Sequence, residues 1–440
     1  MIKITFVGAG STAFVKNVIG DVMLTPALRE CEVALYDIDE ERLGESKILI
    51  DALNEKINEG RAVVKAYLGV ENRKDALRGA DFVVNAIAVG GYASTKIDFE
   101  IPAKYGLRQT IADTLGIGGI FRALRTIPVL REIAEDVEEV CPDAWFLNYT
   151  NPMAMISGYL QRYTGMKTVG LCHSWQDCIS WLYKNMHMEM PEGVTSKIAG
   201  INHMAWVLEV RDKDGNDLYP MIKQKTAEIN ASEIHGDMVR FEYIRRLGYY
   251  CTESSHHNSE YNPFFIKPNY PELIEKYNIL IDHYLQTSLD QIENWKKQKE
   301  DILSGRNIEH AVRSKEYASR IMEAMVTNVP YSIGGNVINR GYITNIVNDA
   351  CVEVPCLVDR NGIHPTYVGA LPPQLAAMNM TNVNPQMVTI EAAVTKKREH
   401  VYHAAMVDPH TAAVLSIDDI VAMCDELIEA HNASGHPVLV

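Results

Sequence analysis

The sequence predicts an α/β protein, with a doubly wound parallel sheet over residues 1–195 and a mixed α/β domain over residues 196–440. Three observations predict it. Short apolar runs ending in turns alternate with amphipathic helical stretches, as parallel strands joined by crossover helices do. The first run ends in a glycine turn, Gly8-Ala9-Gly10-Ser11-Thr12-Ala13. After Asn202-His203 the pattern changes to a strand, a tight turn and then mainly helices.

Residues 2–7 form the first apolar run, and Phe14, Val15, Val18, Ile19 and Val22 follow the turn at helical spacing. Val33-Ala34-Leu35-Tyr36 is a second strand ending at Asp37, followed by an amphipathic stretch over 40–58 and a third strand at Ala62-Val63-Val64. Residues 81–87 are a buried strand, and Val89-Gly90-Gly91 after it lets a ligand approach the backbone. Apolar residues at 117, 120, 121, 124, 127, 130, 133 and 137 mark one face of a long helix, bent at Pro128. Residues 144–147 and 168–171 are further strands, with a helix beginning near Pro152 between them. Trp206 to Val210 runs into Asp212-Lys213-Asp214-Gly215, which predicts an antiparallel hairpin. The polar stretch 251–261 reads as a loop, Gly334 to Arg340 and Asp349 to Cys356 as strand-like, and 385–432 as two helices.

A net charge of -15 repels phosphate backbones and anionic membranes, and no basic, aromatic-rich cluster offsets it, so nucleic acid and membrane are not expected partners. Eight cysteines without CxxC pairs predict reduced, buried thiols and a cytoplasmic protein.

Gly8, Gly10 and Ala13 fit the GxGxxA phosphate turn of the Rossmann fold. The first glycine makes the turn, the second admits a pyrophosphate, and Ala13 lets the helix pack close. Ser11 and Thr12 open that helix, whose N-terminus attracts phosphate. Asp37 is placed to take the ribose hydroxyls and repel a 2′-phosphate, which selects NAD. Asn85, on the strand leading to Val89-Gly90-Gly91, completes the cofactor candidates.

Cys172 follows a predicted strand, where parallel sheets bind ligands. In isolation Cys172 and His203 read as a buried thiol and a core imidazole. Their polar neighbours, with Asn148-Tyr149-Thr150-Asn151-Pro152 at the previous strand end, favour a metal pair suited to Mn, Fe, Co, Ni or Zn. Tyr261 is a candidate base, and Arg340 is a candidate clamp for a ligand anion or hydroxyl or else a surface ion-pair partner. His256 and His257, adjacent in one extended loop, point apart and read as substrate-facing or exposed.

These motifs, with Gly106 to Thr114, Gly200-Ile201-Asn202-His203 and the segment Glu253-Ser254-Ser255 to Glu260-Tyr261, resemble the NAD- and metal-dependent glycosidases of glycoside hydrolase family 4 over nearly the whole chain. Cys172-His173-Ser174 resembles the α-galactosidase branch in particular. The resemblance implies a lactate/malate dehydrogenase-like fold, a homodimer or homotetramer, and exo-hydrolysis of a small α-galactoside by an exception to two-carboxylate glycoside hydrolysis. NAD oxidises C3, the C2 proton is removed, the C1 group is eliminated, water adds, and C3 is reduced again. It implies that Cys172 and His203 hold a divalent metal, manganese first, that Tyr261 is the C2 base, and that Asn148 and Asn151 contact sugar hydroxyls. The phospho-α-glucosidase branch carries an aspartate acid where this chain has His173, so the general acid here is His173, Asp113 or a metal-organised water. The alternatives are a family 4 α-glucosidase, α-galacturonidase or α-glucuronidase, and a net 2-hydroxy acid dehydrogenase.

Overall fold

A computed structural model describes residues 1–304, 306 and 310–439; of the cofactor candidates, the Thr12 side chain lies outside the described residues. Six strands, β1 (Ile2–Val7), β2 (Cys31–Asp37), β3 (Val63–Leu68), β4 (Phe82–Asn85), β5 (Trp145–Asn148) and β6 (Lys167–Gly170), pair in parallel in the order β3-β2-β1-β4-β5-β6. β1 and β4 are almost wholly buried, which is why they read as unbroken apolar runs rather than alternating ones. The strand order reverses between β1 and β4, and ligand crevices form at such a switch point.

The sheet does not stop at the domain boundary drawn from the sequence. Beyond β6 it continues through β10 (Tyr331–Ile338), β11 (Cys351–Asp359), β7 (Thr195–Ile201), β8 (Met204–Arg211) and β9 (Tyr250–Cys251), with β12 (Gly362–Pro365) paired to β11. These pairings are antiparallel, so one 12-stranded sheet carries both halves of the chain. β10 meets β6 only at Asn336–Gly170, and β11 meets β7 only at Glu353–Gly200.

Three local expectations are corrected. The predicted hairpin lies on the other side of its strand: β8 pairs with β7 through the two-residue turn Asn202-His203, whereas after Asp212-Lys213-Asp214-Gly215 the chain makes one bridge, Arg211–Asp217, and enters the helix Tyr219–Ser232. The polar stretch 251–261 contains a helix, Ser255–Glu260, capped by the Ser254 hydroxyl accepting the His257 N–H. Its polar residues turn inward to hydrogen bonds instead of outward to water, so composition alone misread it. The C-terminal stretch forms four helices: Pro373–Thr395, Arg398–Val407, Pro409–Val414 and Ile417–Ala433. All eight cysteines are free and buried, and among the described residues no helix is long and apolar enough to cross a membrane.

Candidate active site

The glycine turn sits at the β1/β4 switch point because only glycine fits there. Gly8 has φ +89°, and a Cβ on it would lie 2.8 Å from the Ala86 carbonyl carbon. A Cβ on Gly10 would lie 2.9 Å from Asp37 Oδ2, the atom that accepts the Gly10 N–H at 2.6 Å. Asp37 Oδ1 accepts the N–H groups of Ile38 and Asp39, so this carboxylate is fixed against the turn. Ser11 caps the helix Thr12–Leu24 without a side-chain hydrogen bond, leaving its hydroxyl for a ligand. A cleft of about 620 Å³ runs from Gly10 and Ser11 past Phe14 to Arg122, with Tyr284 and Trp295 of the helix His283–Leu303 across from them.

Phe14 joins this cleft to the second cluster. Its ring lies 6.0 Å from that of His173, next in sequence to Cys172. Cys172 leaves the end of β6, where the Tyr317 hydroxyl holds both its N–H and its carbonyl. His203 comes from the β7–β8 turn with φ 62° and Glu253 from just before the helix Ser255–Glu260 with φ 66°, both in the left-handed region that non-glycine residues enter at a cost of about 1–3 kcal/mol. Donor atoms of Cys172, His203 and Glu253 all lie within 4.8 Å of one another.

Burial opposes charge on His203, but Cys172 and the Glu253 carboxylate beside it raise its pKa to about 10. A soft thiolate, an imidazole and a carboxylate form a donor set suited to a first-row divalent metal. Partial burial of Glu253 works to raise its carboxyl, yet His257, His203 and Arg240 keep its pKa lowered.

Tyr261 is 1% exposed, with its hydroxyl 3.2 Å from His203 Nδ1. Burial, then the carboxylates of Asp113, Glu260 and Glu253, push the phenol well above its ordinary range. Asp113 faces the same group; burial raises its carboxyl, but Arg122, His257 and His203 outweigh this and hold it below the usual range. It is therefore a carboxylate, poorly suited to donate a proton. His257 bridges the two acids, 3.8 Å from Asp113 and 3.3 Å from Glu253, with its ring 5.0 Å from that of His203. Neither His256 nor His257 is fully exposed, because both lie on the inward-turned helix.

Asn85 donates to Asn148 Oδ1 at 2.8 Å, and its own Oδ1 is buried without a partner. Asn148 is fully used: Oδ1 accepts from Asn85 and Thr150, and Nδ2 faces the Thr150 carbonyl, Met153 and Ser157. Of the two asparagines expected to contact sugar hydroxyls, Asn148 has its amide bonded within the protein, and Asn151 has a buried Oδ1 without a partner. Arg340 is not brought to the site. β10 carries it past Ile338, whose N–H donates to Gln161, into an exposed hollow with Arg162, Tyr163 and Asp349.

Two residues escaped the sequence reading as site members. Glu253 completes a group of three side chains that could hold a metal ion, although nothing distinguishes it from a loop acid before the chain folds. Glu316 accepts from His173 Nε2 at 2.7 Å and fixes that ring, and its irregular stretch carries no pattern that flags it.

A model described as family 4 glycosyl hydrolase matches residues 3–188, and one for the C-terminal domain of that family matches residues 198–411. An α-galactosidase of Bacillus subtilis (strain 168) is 59% identical, covering 98% of this chain and 98% of its own, and one of Rhizobium meliloti (strain 1021) is 34% identical, covering 97% and 88%. The crystal structure of a putative glucosidase from Bacillus subtilis superposes with TM-score 0.87 at 25% identity, covering 97% of this chain and 99% of that one. A 6-phospho-α-glucosidase from gut microorganisms, solved in complex with NAD and Mn²⁺, gives TM-score 0.82 at 20% identity over 98% of each chain. Malate dehydrogenase of Plasmodium falciparum shares the fold at TM-score 0.50 and 14% identity over 90% of this chain and 99% of its own.

Proposed function

The chain belongs to the family 4 glycosyl hydrolases, and from that premise we propose that it is an exo-acting α-galactosidase that works with NAD and a divalent metal, manganese first. The observation that carries this is the convergence of Cys172, His203 and Glu253 on one point beside buried Tyr261, joined through Phe14 and His173 to a cleft on a dinucleotide turn. The 59% identity to the Bacillus subtilis α-galactosidase, over almost the full length of both chains, supports galactose.

Cys172, His203 and Glu253 would hold the metal; Gly8, Gly10, Ser11 and Asp37 would hold the dinucleotide, with Asn85 at the end of β4 offering a free carbonyl oxygen. When bound, the dinucleotide supplies a reversible hydride acceptor at C3 of the sugar and the metal a Lewis acid beside C2 and C3. The pKa of the Tyr261 phenol, which burial otherwise keeps high, would be lowered by a cation held beside it, and as the phenolate Tyr261 would take the C2 proton. His173, oriented by Glu316, delivers a proton to the leaving oxygen, a task Asp113 is unsuited to because it stays charged. Asn151 accepts from a sugar hydroxyl through its free Oδ1. A dry site favours this sequence of proton transfers, and Tyr261 and His203 are both buried.

The test is hydrolysis of p-nitrophenyl α-galactoside against the α-glucoside and α-glucuronide, with NAD, Mn²⁺ and a reducing agent present and each then omitted. Galactoside hydrolysis that needs all three and accumulates no NADH is expected. A preference for the glucoside or glucuronide refutes the specificity; stoichiometric NADH refutes the mechanism in favour of net oxidation. The buried free thiols support a reducing, cytoplasmic setting, and size-exclusion chromatography tests the expected dimer or tetramer.

A further inference from the structure

The last residue of the helix Ser255–Glu260 sends a carboxylate into the interior, where Glu260 is 2% exposed. Its two oxygens take three successive backbone N–H groups: Thr110 at 2.6 Å, Ile111 at 3.2 and 3.3 Å, and Ala112 at 2.8 Å. The Thr110 hydroxyl adds a bond to the His256 carbonyl on the same helix. Successive N–H groups converging on one acceptor form a nest, and here the acceptor is the protein's own carboxyl, which burial pushes up to about 7 against the opposing pull of those N–H groups.

The nest holds a conformation the loop would otherwise leave. Ala112 has φ 53°, a left-handed state that a residue with a Cβ disfavours. On its other side the loop packs against the helix Gly116–Val140, where a Cβ on Gly118 would lie 2.5 Å from the Ala112 oxygen. The loop is thus gripped between Glu260 and the start of that helix. The next two residues, Asp113 and Thr114, both face the Tyr261 phenol, and the Thr114 hydroxyl donates to Asp113 at 2.8 Å. Glu260 is also the chain neighbour of Tyr261. One side chain therefore fixes both the helix end that carries the phenol and the loop that lines it.

We propose that Glu260 is a positioning residue, whose carboxylate clamps the backbone of residues 110–112 and so sets Asp113 and Thr114 against Tyr261. This rests on Tyr261 as the C2 base. Glu260→Gln keeps the shape but replaces one of the two accepting oxygens by an NH₂ that faces backbone N–H donors, so half of the clamp is lost without a large volume change. In protein free of metal and NAD, hydrogen exchange at amides 110–112 is expected to rise about tenfold or more. In the loaded enzyme, kcat falls about 10- to 100-fold, the scale of a small misplacement of reacting groups. The isotope effect on kcat with C2-deuterated substrate grows, while KM and the dissociation constants for Mn²⁺ and NAD stay at parent values.

Glu260→Asp keeps the charge one methylene short and is expected to give intermediate values; it carries the same test should Glu260→Gln not fold. Unchanged exchange at 110–112 overturns the clamp. Raised exchange with kcat and isotope effect at parent values overturns its link to Tyr261. A parent enzyme with no C2 isotope effect, measured on Tyr261→Phe as well, counts against the base assignment and leaves the exchange result standing as a separate finding.

Discussion

Glu353 lies on β11, fully buried, with Oε1 accepting from Asn336 at 3.1 Å and from Asn202 at 3.5 Å, and with Oε2 unpartnered. Burial, offset only in part by His203 and the two asparagines, pushes its carboxyl up from 4.5 to about 7. A raised acid pKa means that the folded state holds its proton more tightly than the unfolded chain does. The associated stability is fully present below the unfolded value and is lost as pH rises through the folded one. Over a span of about 2.5 pH units, at 1.36 kcal/mol each, the loss is roughly 3 kcal/mol. Glu353→Gln cannot titrate, and its amide oxygen keeps both asparagine bonds. The difference in stability between Glu353→Gln and the parent should therefore move in the variant's favour by roughly 3 kcal/mol between pH 4.5 and pH 8. Equilibrium urea unfolding in EDTA at pH 4.5, 6, 7 and 8 reads this directly. A difference that stays constant across that range refutes the placement of Glu353 as a buried, poorly paired carboxyl.

Cys172→Ser and Glu253→Gln should each weaken Mn²⁺ binding by about tenfold or more in calorimetric titrations, with NAD affinity retained; unchanged Mn²⁺ affinity removes that residue from the metal set. Tyr261→Phe should lower kcat by roughly 10²–10⁴-fold and abolish exchange of the C2 proton with solvent, and normal turnover ends its role. Glu316→Gln frees the His173 ring, so kcat/KM should fall further for methyl α-galactoside than for the p-nitrophenyl galactoside, whose leaving group needs no proton; equal losses argue against His173 as the acid. Gly10→Val places a branched side chain against Asp37 Oδ2 and should reduce NAD affinity by about tenfold or more while sparing Mn²⁺ binding, as fluorescence titration would show.

What the sequence determined by itself is local or periodic. The glycine turn, the strand and helix alternation, Asp37 at a strand end and Cys172 at another follow from steric rules that act over a few residues, and the parallel half of the sheet matches them. His203 was legible as half of a metal pair, although the turn that presents it was assigned to the wrong side of β8. Tertiary structure decided what depends on groups far apart in the chain. Glu253 meets Cys172 and His203 only in the folded chain, beside an inward-turned helix whose Ser255 hydroxyl donates to Asp237, itself buried with Arg240. Glu316 reaches His173 across 143 positions, and Glu260 reaches Thr110 across 150. Asn148 and Arg340 have the right chemistry for substrate, but packing bonds the first to its neighbours and carries the second to an exposed hollow. A polar side chain's chemistry is written in its residue type; whether that chemistry meets a ligand or the protein's own backbone depends on which long-range contacts satisfy its hydrogen bonds first.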